Sequence, residues 1–187
     1  MPELRIRPAI FDDAEAIARV LVEAWRESYS ALMPPEALAS LDVGEQAARW
    51  REVFLGHGED VFGAAFLVTG DGGEAFGFAA CGRQRSPRLE QAGYPAEFSS
   101  LYLLRRAQRR GAGRGLMRLM AAHLADKGAS AASVWAFRDH RDALSFYEAL
   151  GGERTGVDGV WSVLGLTLPD VSYGWRNLAP LIDAHVQ

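Results

Sequence analysis

Eight residues, Gln108-Arg109-Arg110-Gly111-Ala112-Gly113-Arg114-Gly115, carry the sharpest chemical signal in this chain. They follow a strand-like run and open a helix-like one. At such a junction the first-turn N–H groups have no partner inside the helix and point outward together. The helix dipole adds partial positive charge, and glycines let the backbone approach a ligand closely. The chemistry this suits is the holding of phosphate or pyrophosphate. The Lys-Ser/Thr ending of a P-loop is absent, and Leu116 stands where a dinucleotide fingerprint needs its third glycine. Arg105, Arg106, Arg109, Arg110 and Arg114 surround the segment and suit a ligand with several phosphates. Taken alone, the segment also reads as a glycine-rich turn with solvated arginines. A local RNA-binding patch is the other reading, but no aromatic stacking partners are interleaved with the arginines.

The pattern extends on both sides. Residues 108–113 fit Q/R-x-x-G-x-G/A at every fixed position. Leu101, Tyr102, Leu103 and Leu104 precede them as a strand. Ala143, Tyr147 and Gly151, with Phe146, Glu148 and Leu150 between, follow A-x-x-x-Y-x-x-x-G. With the opening Ile6, Arg7, Pro8, Ala9 and Asp13, this resembles the GNAT superfamily of N-acetyltransferases. Trp25, Tyr29 and Pro34 look like the first-helix segment of some bacterial members. The resemblance covers most of the chain and is specific over residues 97–151. It implies a mixed, mostly antiparallel sheet of about six to seven strands flanked by helices, with the fourth and fifth strands splayed apart. It also implies acetyl-CoA as co-substrate and no metal. The backbone of Leu101, Tyr102 and Leu103 would pair with the pantetheine arm. The amides of Gln108, Arg109, Arg110, Gly111, Ala112, Gly113 and Arg114 would cradle the pyrophosphate. One position departs from the family: many members have Asn three residues before the helix Ala, and here it is His140. His140 either bonds the pantetheine as that Asn does or caps the helix.

Acyl transfer to an amine requires that the amine lose a proton, the carbonyl oxygen be stabilised and the leaving thiolate be reprotonated. Glu97, at the head of the fourth strand, is the candidate base; the plain alternative is an exposed Glu at a strand start. Tyr147 is the candidate acid or sulfur contact, the alternative being a core aromatic with one wet edge. Trp25 and Tyr29 are candidates for the acceptor pocket, since the first helices wall it in the family. Cys81 falls in a strand-like run without a thiol-activating His and Asp or Asn pattern. His57, His123 and His185 show no metal-ligand spacing. Trp50, Trp135, Trp161 and Trp175 read as core or interface.

These residues need elements to hold them. Leu4 and Ile6 alternate with Arg5 and Arg7 as a first strand. Asp12 and Glu15 have the spacing of a capping box. The helix behind them carries Ile17, Val20, Leu21, Ala24 and Trp25 and runs to about Tyr29. Pro34 and Pro35 introduce a short helix over residues 36–40. A further helix over 45–55 offers Ala48, Trp50, Val53 and Phe54 for packing. Strands over 61–69 and 74–81 make a hairpin about the turn 70–73. A polar loop covers 82–95. Then follow a strand over 98–104, a helix over 111–127, a strand over 133–137 and a helix over 139–150. Two last strands are expected over 154–168 and 171–175. This is an α/β chain with a mixed sheet, expected to form one domain over 1–187.

The 187 residues carry 20 basic and 24 acidic side chains, a net charge of −4. That balance argues against bulk nucleic-acid binding. With one cysteine no internal disulfide can form, and no apolar run approaches a membrane span. No signal-peptide pattern opens the chain, so a cytoplasmic location without membrane partners is expected. Three classes of function stay open: an acetyltransferase for small-molecule amines or amino acids, one for a protein N-terminus or lysine, and an acyl-CoA sensor without turnover. A homodimer is compatible with the apolar tail.

Overall fold

The computed structural model describes residues 3–56 and 58–183, so His57 and His185 lie outside it. Seven strands form one sheet in the order β1-β2-β3-β4-β5-β7-β6. They are β1 (Arg5–Pro8), β2 (Ala64–Thr69), β3 (Ala75–Arg83), β4 (Ala96–Leu103), β5 (Ala132–Phe137), β6 (Glu153–Val163) and β7 (Leu166–Trp175). All neighbours pair antiparallel except β4 and β5, which run parallel. That parallel pair has two registered residue pairs, Ala96 with Ala132 and Glu97 with Ser133, and beyond them the strands part. The expected mixed, mostly antiparallel sheet with splayed fourth and fifth strands is the observed one.

Both faces of the sheet are covered, which is why its central strands read as near-continuous apolar runs. On one face lie α1 (Ala14–Ser28), α2 (Pro35–Ala39) and α3 (Val43–Gly56). Here α1 buries Ile17, Val20 and Ala24 against Leu67, Phe78 and Ala80. On the other face lie α5 (Ala112–Asp126), α6 (Arg141–Ala149) and α7 (Ala179–Asp183). There Leu116, Met117, Met120 and Leu124 of α5 pack on Phe66, Val68, Ala79 and Phe98. Leu67 faces one way and its neighbours Phe66 and Val68 the other, the period of two that strand geometry imposes. Each large side chain buried this way contributes about 1.5–3 kcal/mol. No helix among the described residues is long and apolar enough to cross a membrane.

Four expectations from sequence are corrected. The capping carboxylate is Asp13 rather than Asp12: its Oδ2 accepts the Ile10 N–H at 2.8 Å, and both oxygens are held by Arg7. The loop over 82–95 contains a short helix, α4 (Pro87–Gln91). The last hairpin turns at Leu164 and Gly165, both with positive φ, so β6 ends earlier than expected and β7 runs through Pro169. Two left-handed residues in a two-residue loop match the twist of the flanking strands. In α3, Ala47 and Trp50 are buried, whereas Ala48 and Val53 face solvent.

Candidate active site

β4 changes direction where it leaves β5. Cys81 pairs with Phe98 and Ala80 with Ser100, so Ser99 is an extra residue, a β-bulge that bends the strand. From Phe98 onward the β5-facing edge of β4 has no strand partner, and its backbone polar groups need another one. The gap is a cavity of about 840 Å³. Its walls are Ser99, Ser100, Leu101, Tyr102 and Leu103 from β4, Val134, Trp135 and Ala136 from β5, and Ala143, Phe146 and Tyr147 from α6.

The glycine loop closes one end. The Gln108 amide nitrogen donates to the Leu103 carbonyl at 2.9 Å, fastening the loop to the end of β4. Arg109 and Gly111 both take positive φ, 59° and 82°. Residues of this handedness turn successive amides into a concave anion-binding nest, and Gly111 is also the N-cap of α5. The first-turn amides and the dipole of a 15-residue helix therefore point at the cavity end. Gln108, Arg109, Gly111, Gly113 and Arg114 line the cavity, and Arg105 joins them. Ala112 is instead packed into the core beneath the loop, and Arg110 lies outside the cavity wall, half-buried. Arg106 turns away altogether: it is paired with Glu23 of α1 and lies over the Phe76 ring. The arrangement fits a pyrophosphate at the loop and an extended amide-bearing arm along the open edge of β4.

Residues 16–152 match the acetyltransferase (GNAT) family. The chain belongs to that family. It is similar to YuaI of Bacillus subtilis strain 168, an uncharacterized N-acetyltransferase: 34% identity over 176 residues, covering 94% of this chain and 95% of the relative. Its fold is similar to that of PaiA N-acetyltransferase from Thermoplasma acidophilum in complex with coenzyme A. There the TM-score is 0.69 at 18% identity, over 92% of this chain and 99% of that one. It is similar also to YncA from Salmonella typhimurium with its cofactor acetyl-CoA, with a TM-score of 0.64 at 16% identity, over 99% and 97% of the two chains. The protein is thus an acetyl-CoA-dependent N-acyltransferase.

The other sequence-read residues of this GNAT enzyme divide between the cavity and its surroundings. Tyr147 and His140 line it, as does Tyr29. Tyr147 is buried, and burial pushes its phenol well above the usual tyrosine range, with nearby Tyr102 adding to the effect. Burial likewise lowers the His140 imidazole, and Asp142 opposes that only in part. His140 occupies the N-cap of α6 but makes no side-chain capping bond. Its ring meets Tyr29 edge-on, with centroids 5.2 Å apart.

Glu97 is not brought into the cavity wall. It is 3% exposed, directly before Phe98, and its carboxylate is paired with the Arg85 guanidinium. Burial raises its pKa and Arg85 draws it back down. Trp25 stands behind Tyr29, in edge contact with Tyr29 and Trp161 at 5.2 and 5.5 Å. Burial raises the Tyr102 phenol, and the nearby Trp25 indole N–H and Tyr29 hydroxyl oppose that only in part; Trp25 Nε1 finds no acceptor in hydrogen-bond geometry. Cys81 is buried, and burial pushes its thiol up to about 12, which keeps it from nucleophilic duty. Among the described residues no group of three His, Cys, Asp or Glu side chains is placed to hold a metal.

Sequence reasoning missed Ser99 and Trp135 as wall residues. A bulge leaves no pattern in a single strand, and Trp135 carries the same apolar signal whether it faces core or cavity.

Proposed function

We propose that this enzyme transfers the acetyl group of acetyl-CoA directly to the primary amine of a small molecule, an amine or an amino acid. The free edge of β4 at Leu101, Tyr102 and Leu103 takes the pantetheine arm, and the loop from Gln108 to Arg114 takes the pyrophosphate. Tyr147 keeps its proton at any working pH and donates a hydrogen bond to the sulfur as it leaves. Tyr29 walls the acceptor end, and Trp25 backs it.

One observation favours a small acceptor. The tip of the β6–β7 hairpin packs on the α1–α2 segment next to Tyr29, which lines the cavity. Val163, Leu164, Leu166 and Leu168 meet the cluster of Trp25, Tyr29, Met33, Leu38 and Leu41. A bridge of this kind beside Tyr29 narrows the acceptor end rather than leaving the open groove an extended peptide needs.

The test is thiol release from acetyl-CoA by the purified protein with panels of small amines, amino acids and short peptides. Release with one small-acceptor class supports the reading and identifies the substrate type. Release with peptides alone overturns it in favour of a protein N-acetyltransferase.

A further inference from the structure

We infer that His140 carries the proton in the transfer: its imidazole takes the proton from the attacking amine and passes it to the CoA sulfur. The inference rests on the reading above in one respect, that the acceptor is an amine.

The ring makes an edge contact with Tyr29 and no hydrogen bond to another described residue. His140 precedes α6 without capping it through its side chain, and it lines the same cavity as Tyr147. Seven residues, two helical turns, put the two on one face of α6, about 10 Å apart along the axis. Long helical side chains lean back toward the N-terminus, the direction in which His140 lies, and both residues line the cavity. Tyr29 joins them. Its ring touches His140, and its buried phenol lies near those of Tyr102 and Tyr147. The rival proton acceptor, Glu97, is outside the cavity wall and engaged with Arg85.

The surroundings keep the imidazole basic but uncharged near neutrality. Tyr29 faces it from beyond α1, and Asp142 from α6. Tyr102 of β4 and Arg105, Arg109 and Arg114 share the cavity wall. Arg138, next to β5, is engaged with Asp158 at 3.6 Å. Burial dominates over Asp142 and lowers the imidazole below its ordinary value.

The step balances without a further reactant. A nitrogen–carbon bond forms and the carbon–sulfur bond breaks. One proton of the neutral amine moves to His140, and the same proton ends on the thiolate, leaving an amide and a free thiol. An imidazolium below about 6.5 is a stronger acid than a thiol near 8.5, so the second hand-over runs downhill. The phenol of Tyr147, ordinarily near 10 and raised here, is the weaker acid and stays protonated.

The experiment compares His140→Asn with wild type across pH. Asn can bond a pantetheine but cannot carry the proton. The acceptor is whichever amine, small or peptide, wild type acetylates fastest. A peptide winner therefore sinks the small-acceptor reading and leaves this comparison intact. The variant is expected to bind acetyl-CoA within about twofold of wild type and to lose about 10²-fold in kcat/KM at pH 8. That ratio should shrink toward one as pH falls through the histidine range, because a protonated imidazole cannot accept. The amine's own ionisation cancels in the ratio. A ratio constant with pH overturns the inference. So does weakened acetyl-CoA binding with unchanged turnover, which would make His140 a pantetheine ligand only.

Discussion

The Arg85 guanidinium holds the Glu97 carboxylate one residue before β4 leaves β5, with Arg85 74% and Glu97 3% exposed in their side chains. The Arg85 backbone N–H also reaches Glu97 Oε2 at 3.4 Å. Arg85→Ala removes the compensation and leaves a buried carboxyl whose pKa climbs further. A group with a raised folded pKa loses stability as pH rises through that value. The variant should be less stable than wild type by roughly 1–2 kcal/mol at pH 8, a figure kept low by the solvent around Arg85. The deficit should narrow toward pH 5. Denaturant midpoints at the two pH values check this, and a deficit larger at pH 5 would contradict it.

Glu97→Gln addresses the chemistry at the same position. Gln keeps an oxygen for Arg85 and removes the titrating group. Because Glu97 lies outside the cavity wall, the ratio of wild-type to variant kcat/KM should stay nearly constant with pH. A ratio that climbs well above one as pH rises would return the proton-accepting role to Glu97 and take it from His140.

Tyr147→Phe tests the sulfur contact. The hydroxyl makes no hydrogen bond to another described residue, so its loss should leave the melting temperature nearly unchanged. Turnover should fall about 10²-fold while acetyl-CoA affinity holds within about twofold. With the phenol raised by burial, no alkaline limb below about pH 10 should be traceable to it. Full turnover in the Phe variant would reduce Tyr147 to a packing residue.

Gly111 is needed for its φ of 82°, which a side chain resists by about 1–2 kcal/mol. Gly111→Ala should lower stability by about that amount. It should also weaken acetyl-CoA binding, since relaxing the backbone turns the amides of the nest away. Gly128, with φ 91° just past α5 and open space where a Cβ would go, is the matched control. Gly128→Ala should cost similar stability and leave calorimetric affinity intact. Equal affinities in the two variants would separate the loop from the pyrophosphate.

What the sequence discloses here is local. Gly111 and Gly113 show on the page because one torsion and one close approach admit few other residues. Tyr147 shows because helical spacing ties it to Ala143 and Gly151. The contacts that decide roles are not local. Arg106 stands among four other arginines in the sequence but is drawn out of the site by Glu23, over 80 residues away. Glu97 meets Arg85 across a loop, and His140 meets Tyr29 from the other side of the sheet. The turn at Leu164 and Gly165 lacks the Asn or Asp that usually marks it, whereas Pro169-Asp170 looks like a turn and lies within β7.

The Arg7–Asp13 pair explains the Ile6-Arg7-Pro8-Ala9…Asp13 start of the chain and yields a last test. Two hydrogen bonds of 2.6 and 2.7 Å tie the guanidinium to both carboxylate oxygens. The Asp13 carboxylate also accepts the Ile10 N–H, so it joins β1 to the entry of α1. The bonds to Arg7 hold its pKa below the usual aspartate range, against an opposing effect of burial. A depressed folded pKa gives stability that is present above the unfolded value, near 3.9, and is lost as pH falls through the folded one. Asp13→Asn keeps an oxygen for the Ile10 amide and removes only the charge. The variant should be less stable by about 1–2 kcal/mol at pH 7, the 45% exposure of Arg7 limiting the effect. The gap to wild type should close as both are titrated below pH 4. Urea midpoints at pH 7 and 3.5 measure it, and a gap of equal size at both would show that Asp13 acts through shape rather than charge.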